Sequence, residues 1–233
     1  MPVRFLAALL SLSLLGLAPA KAAEPGTFDW TGFYLGAYAG FNWGNLDISE
    51  DHLSTTGNFD ENLWEAGVFG GYRRQLSNRM VIGAELMVPF FLEKGTAEDE
   101  VFFPAPAFDP PVKYEAEGNW GVFAIAQVGR AFNRTLPFIE AGIGVVNATG
   151  RTLNVDVNDL YDPGAKQSDT NTHFAFLVGA GIDHAVADHF VLGIRYNYMH
   201  LSNENYEMPW NAPPPNSFGA SSHKVLATLT FKF

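Results

Sequence analysis

One run of the chain does more than any other to limit its fold. From residue 33 the sequence reads FYLGAYAGFNW. Phe33, Leu35, Ala37, Ala39, Phe41 and Trp43 share one face, while Tyr34, Gly36, Tyr38, Gly40 and Asn42 share the other. A period of two sustained over this length is a strand, and it is long enough for a tilted membrane crossing, which takes roughly 9–11 residues. Aromatic residues close both ends of the apolar face, where membrane strands keep their interfacial girdles.

The pattern recurs along the chain. Over 63–73 it turns Trp64, Ala66, Val68 and Tyr72 outward and Glu65, Gly67, Gly71 and Arg73 inward. Over 80–90, Met80, Ile82, Ala84, Leu86, Val88 and Phe90 point out, with Glu85 inside. Segment 118–130 sends Trp120, Val122, Ala124, Ala126 and Val128 out and Gln127 in. Segment 136–147 has Ile139, Ala141, Ile143 and Val145 outside, with Glu140, Gly142 and Gly144 inside. At 173–185 the outward set is Phe174, Phe176, Val178, Ala180 and Ile182, opposite Gly179, Gly181 and Asp183. At 190–202 it is Phe190, Leu192, Ile194, Tyr196 and Tyr198, opposite Gly193, Arg195 and Asn197. Residues 223–233 end the series with Val225, Ala227, Leu229, Phe231 and Phe233 out and Thr228, Thr230 and Lys232 in.

Eight such strands alternate between short and long connections. Short turns are expected at Ser77-Asn78-Arg79, Asn133-Arg134-Thr135 and Ala187-Asp188-His189, and long loops over 44–62, 91–116, 149–171 and 203–221. Prolines gather in the leader and the long connections, as Pro104, Pro106, Pro110 and Pro111 and again Pro209, Pro213, Pro214 and Pro215. Proline is excluded from central ladders, so this placement supports the boundaries. The expected fold is all-β, an eight-stranded antiparallel up-and-down transmembrane barrel over 33–233 with four long extracellular loops. An even strand count leaves both termini on the periplasmic side, in the outer membrane. A soluble barrel would reverse the polarity and hide its large apolar face.

The inward charges are then a second expectation. Glu65, Arg73, Glu85, Gln127, Glu140, Asp183 and Arg195 should pair inside the bore, because a buried charge without a partner is costly. Eight strands enclose a space that side chains can fill. Inward acids outnumber inward bases, so any leak should favour cations.

Residues 1–22 carry one early cation, Arg4, an apolar run from Phe5 to Leu17, and small residues at Ala18, Ala20 and Ala22. This is the pattern of a cleaved signal peptide, followed by a short periplasmic segment at 23–32. Its removal leaves 12 basic against 25 acidic residues. That balance, without a basic run, excludes nucleic acid as a partner. The absence of cysteine excludes disulfides, cysteine-ligated metals and thiol catalysis. The six histidines are scattered, so no metal or cofactor is expected. Acidic residues crowd the loops, as Asp47, Glu50 and Asp51 or Glu98, Asp99 and Glu100, without the spacing of a calcium motif.

The run Phe28-Asp29-Trp30-Thr31-Gly32-Phe33-Tyr34-Leu35-Gly36 resembles the opening of the small outer-membrane β-barrel ("porin family") surface antigens of Gram-negative bacteria. Leu136-Pro137-Phe138 and Gly179-Ala180-Gly181-Ile182-Asp183 extend the likeness. The resemblance implies that Phe233 presents the chain to the barrel-insertion machinery. It also implies contact with outer-membrane lipid and lipopolysaccharide, and a surface role whose loop ligand the sequence does not name. Ile125 and Gln127 stand where this family often carries inward arginines. The implied function is a surface protein contributing to envelope integrity, with weak small-solute or cation conductance.

A local motif gives the alternative. His200-Leu201-Ser202-Asn203, at the outer end of the seventh strand, resembles the lipid A 3-O-deacylases, which are also eight-stranded barrels. That resemblance implies His200 as base, Ser202 as nucleophile and Asn203 as oxyanion donor, hydrolysing an ester-linked acyl chain. A serine hydroxyl does need an adjacent base to attack an ester. The third member is open: His223 occupies the place where a carboxylate is expected, and Glu204 or Glu207 are the other candidates.

Overall fold

A computed structural model of the chain describes residues 27–50, 53–91, 95–98, 112–154, 167–206 and 216–233. The leader at 1–22, Glu207 and most of the acidic loop residues lie outside the described residues. The strands are β1 (Gly32–Glu50), β2 (Leu53–Gln75), β3 (Met80–Phe91), β4 (Gly95–Glu98), β5 (Val112–Arg130), β6 (Thr135–Asn154), β7 (Gln167–Ala185), β8 (Phe190–Tyr206) and β9 (Asn216–Lys232). Each pairs antiparallel with its neighbours, and β3 pairs with β5 to close the sheet. The four-residue β4 runs along the same edge of β5 and prolongs β3, so the barrel has eight staves.

The ladders run further than the apolar alternation. β1 and β2 stay paired to Glu50↔Leu53, β6 and β7 to Thr152↔Gln167, and β8 and β9 to Tyr206↔Asn216. Much of what the sequence marks as long loop is therefore hairpin. Main-chain hydrogen bonds hold these extensions, and beyond the bilayer nothing requires an apolar face, so the period of two fades there.

Exposure separates the two faces. Outward Phe33, Ile139 and Ile194 are 66%, 66% and 60% exposed, whereas inward Asp183 and Arg195 are 0% exposed. In water such an apolar wall would be an aggregation surface; in lipid it is the required one. Inside, large and small residues interleave across the ladder. Tyr34 faces Gly71, Tyr38 faces Gly67, Asn197 faces Gly179 and Arg195 faces Gly181. Without the glycines these side chains would have no room in so narrow a bore. The short connections close as tight turns, with Asn133 at φ 52° between the paired Phe132 and Thr135. Asparagine is among the few residues that tolerate this left-handed geometry.

Candidate functional site in the lumen and at the rim

The interior is built in layers, starting from the end with the short turns. Phe28 and Trp30, just ahead of β1, are buried there with Val81, Leu136, Phe138 and Val191. Their rings meet edge to face at 4.7 Å. The segment is stitched in by Trp30 N donating to Gln75 Oε1 (3.1 Å) and by Gln75 N donating to Thr31 Oγ1 (3.1 Å). Phe28 N reaches the Asn133 carbonyl at 3.4 Å. Residues ahead of the first strand thus plug this end of the barrel.

The next layer is polar. Arg73 on β2 pairs with Asp183 on β7 at 2.7 Å. Its Nε and Nη2 donate to Gln127 Oε1 at 3.1 and 3.0 Å. Gln127 Nε2 in turn donates to Glu140 Oε2 (2.9 Å) and Glu85 Oε2 (3.3 Å). Arg195 on β8 donates through both Nη atoms to Glu85, at 2.6 and 3.0 Å, and its Nη1 lies 3.6 Å from Glu140. Tyr34 Oη donates to Glu85 at 2.9 Å and Asn197 Nδ2 to Glu140 at 2.6 Å.

Gln127 explains the departure from the arginine pattern. Its amide accepts from a guanidinium on one side and donates to two carboxylates on the other, which neither Arg nor Glu can do.

Above this belt lies an apolar layer that includes Phe69, Phe123, Leu177 and Leu226. The Arg195 guanidinium stands 4.5 Å from the Phe69 ring centroid, in range for a cation–π contact. A second polar cluster follows, where Glu65 accepts from Lys224 Nζ, from Tyr38 Oη (2.9 Å) and from Asn42 Nδ2 (3.3 Å). The structure therefore places Glu65 apart from the other six inward residues named from the sequence and brings those six together. Sequence reasoning missed Lys224, Phe28 and Trp30, and did not give Tyr34, Tyr38, Asn42 or Asn197 a role. Inward parity marks the last four, and a tyrosine at such a position is a hydrogen-bond donor looking for a partner.

At the far rim the candidate catalytic residues part company. His200 is half-buried on the outer wall, its ring 5.1 Å from that of Phe176. The β8–β9 register breaks between Leu201 and Glu204. Ser202 lies at this break, where its Oγ accepts from Phe174 N (3.1 Å) and donates to Glu204 Oε1 (3.2 Å). Its carbonyl meets His173 Nδ1 at 2.9 Å. Asn203 is exposed. His223 faces Tyr198 across the ladder, shares a 2.7 Å hydrogen bond with Tyr196 Oη and lies 5.9 Å from the Trp43 ring. Among the described residues, no hydrogen bond joins His200 to Ser202.

Comparison with known proteins agrees with the architecture. The 31 kDa outer-membrane immunogenic protein of Brucella melitensis biotype 1 is 27% identical over 225 residues, covering 91% of this chain and 87% of that protein. The protein of the same name from Brucella suis biovar 1 matches equally. Among solved structures, Neisserial surface protein A has 14% identity and a TM-score of 0.47, over 87% of this chain and 98% of its own. OprG from Pseudomonas aeruginosa has 13% identity and a TM-score of 0.48, over 90% and 99%. At this identity and overlap neither bears on activity. The family model of the outer membrane protein beta-barrel domain matches residues 7–231. A closed eight-stave barrel with an apolar wall, matched by that model over nearly its whole length, belongs to the outer membrane protein β-barrel family, and its place is the outer membrane.

Proposed function

We propose that this protein is a surface and envelope-integrity component of the outer membrane, with a sealed lumen and its long hairpins turned outward. The supporting observation is the closure of the bore. Phe28 and Trp30 fill the turn end, and the ion pairs Arg73–Asp183 and Arg195–Glu85 span the interior between strands on opposite sides of the barrel. Solute or ion passage through this lumen would require breaking both pairs. The barrel therefore acts through its wall and its hairpins, with Phe233 as the terminal aromatic read by the insertion machinery.

Two measurements test this reading. Reconstituted in planar bilayers, the full barrel should be electrically silent; discrete cation-favouring steps would overturn the sealed lumen. Cells lacking the protein should become sensitive to detergents and bulky antibiotics and recover with the wild-type chain. Unchanged sensitivity would overturn the integrity role.

Lipid A ester hydrolysis is the second reading. It is favoured by one observation, the Glu204 carboxylate bonded to the Ser202 hydroxyl. Against it, that hydroxyl already accepts from the Phe174 amide and His200 leans on Phe176. Mass spectrometry of lipid A from cells carrying the wild type or Ser202→Ala decides. Loss of one ester-linked chain only with the wild type would make this the activity. Identical spectra would leave Ser202 as the cap of the β7–β8 ladder.

A further inference from the structure

The outer wall carries a furrow of about 1120 Å³. Two neighbouring rows of outward residues form it, each row running across the strands along the hydrogen-bonding direction. In one row Leu35, Gly70, Leu86, Ala124, Ile143 and Phe176 succeed one another from β1 to β7. The other passes from Phe33 through Tyr72, Ala84, Ala126 and Ala141 to Val178. The floor is Gly70 and the four alanines, and the larger side chains form its sides and ends. Because the strands of such barrels tilt, a furrow perpendicular to them slants through the bilayer.

Directly above its β6–β7 end the wall changes character. Asn147 and Thr149 lie four and six residues beyond Ile143 on the same face of β6, so Asn147 is about 13 Å further along the strand at roughly 3.3 Å per residue. Asn119 Nδ2 donates to Asn147 Oδ1 (2.8 Å) and to Thr149 Oγ1 (3.0 Å). Asn147 Nδ2 donates to Thr172 Oγ1 (3.2 Å), and Thr149 and Thr170 share a 2.9 Å hydrogen bond. These five side chains form an uncharged ladder of amides and hydroxyls on the outer wall. Each threonine hydroxyl has one donor and two acceptor sites, so it keeps capacity for a further partner.

We propose that this wall holds one glycolipid of the outer leaflet, with an acyl chain in the furrow and its acylated sugar on the Asn/Thr ladder. The furrow faces hydrocarbon, so its occupant is an acyl chain. The ladder selects among lipids. A phospholipid headgroup carries phosphate, which is bound most strongly by charged donors. The ladder offers none, and its neutral donors and acceptors match sugar hydroxyls and amides. This inference rests on the proposed orientation, with the hairpins outside.

Native mass spectrometry of the full barrel, purified from outer membranes in mild detergent, tests it with lipid A and phosphatidylethanolamine as probes. The wild type should carry lipid A one to one. Ala126→Phe or Ala141→Phe, which fill the furrow from the lipid side, should lower that binding at least tenfold. Asn147→Ala with Thr172→Ala should reduce the preference for lipid A over phosphatidylethanolamine. Leu192→Phe, on the far wall, should bind as the wild type does. Ala141→Leu serves as a smaller filler where a phenylalanine variant loses the heat-dependent gel shift of a folded barrel. No stoichiometric adduct, or an adduct indifferent to filled furrows, overturns the site; equal binding of both lipids overturns the role of the ladder.

Orientation is read separately. The chain has no cysteine, so a membrane-impermeant maleimide should label Ser168→Cys and not Ser77→Cys in intact cells. The reverse labelling overturns the orientation, and with it the choice of an outer-leaflet lipid.

Discussion

Arg195 on β8 and Glu85 on β3 stand on opposite sides of the barrel and meet across its whole bore, through two hydrogen bonds of 2.6 and 3.0 Å. Arg73 and Asp183 repeat the relationship between β2 and β7 at 2.7 Å. Strands that share no ladder are thereby tied together, and the interior resists collapse or ovalisation of the barrel.

Breaking the first tie should be expensive. Glu85→Ala strands a guanidinium that is fully buried, and removing one partner of such a pair typically costs about 3–5 kcal/mol. Replacing both residues, as Glu85→Leu with Arg195→Met, should cost clearly less, since no charge remains without a partner. Urea unfolding in detergent micelles, followed by tryptophan fluorescence, compares the two. Equal losses would mean the pair contributes only its packing.

The surplus carboxylate is a different case. Among the described residues the buried interior holds Glu65, Glu85, Glu140 and Asp183 against Arg73, Arg195 and Lys224. Glu140 has only the longer approach to Arg195, at 3.6 Å, and takes its direct hydrogen bonds from two amides. Asn197 Oδ1 has no hydrogen-bond partner, so its amide can turn to face a new NH₂. Glu140→Gln should therefore change stability by less than about 1 kcal/mol, well under the cost of Glu85→Ala. The same unfolding measurement checks it.

Two adjacent glycines test the interior packing. A Cβ at inward Gly71 would land on the Ala84 carbonyl oxygen and within 2.7 Å of the Tyr34 hydroxyl. At outward Gly70 the nearest atoms, in Leu35 and Tyr34, lie at 3.3 Å. Gly71→Ala should lose about 1–3 kcal/mol through overpacking, while Gly70→Ala should stay within about 0.5 kcal/mol. A reversed order would place the crowded face on the outside.

The plug contributes stability more than insulation. Trp30→Ala should cost about 3–5 kcal/mol, the usual price of deleting a buried tryptophan. It should not open a conducting path, because both transverse ion pairs remain. Planar-bilayer recordings of Trp30→Ala that show steady conductance would make Trp30 the gate.

The strand count, the short turns and the outward face were legible in the chain because a lipid-facing wall demands apolar residues at every second position, and a period of two survives in a single sequence. Parity alone also put Glu65, Arg73, Glu85, Gln127, Glu140, Asp183 and Arg195 inside. The ladders beyond the membrane were not legible, since main-chain hydrogen bonds place few demands on side-chain polarity. Phe28 and Trp30 precede the alternation, so no pattern announced that they turn back into the bore.

Sequence by itself determined that this chain closes into a membrane barrel with charges within, because alternation is a local property written every two residues. Which charge meets which was decided only in three dimensions. Arg195 and Glu85 are 110 residues apart and share no ladder. Their meeting depends on the closure of β3 against β5, on the register of each antiparallel pair, and on the glycines that leave room across the bore. The same closure sets His200 against Phe176 and Ser202 against Glu204, two residues that adjoin in sequence and take different partners in space.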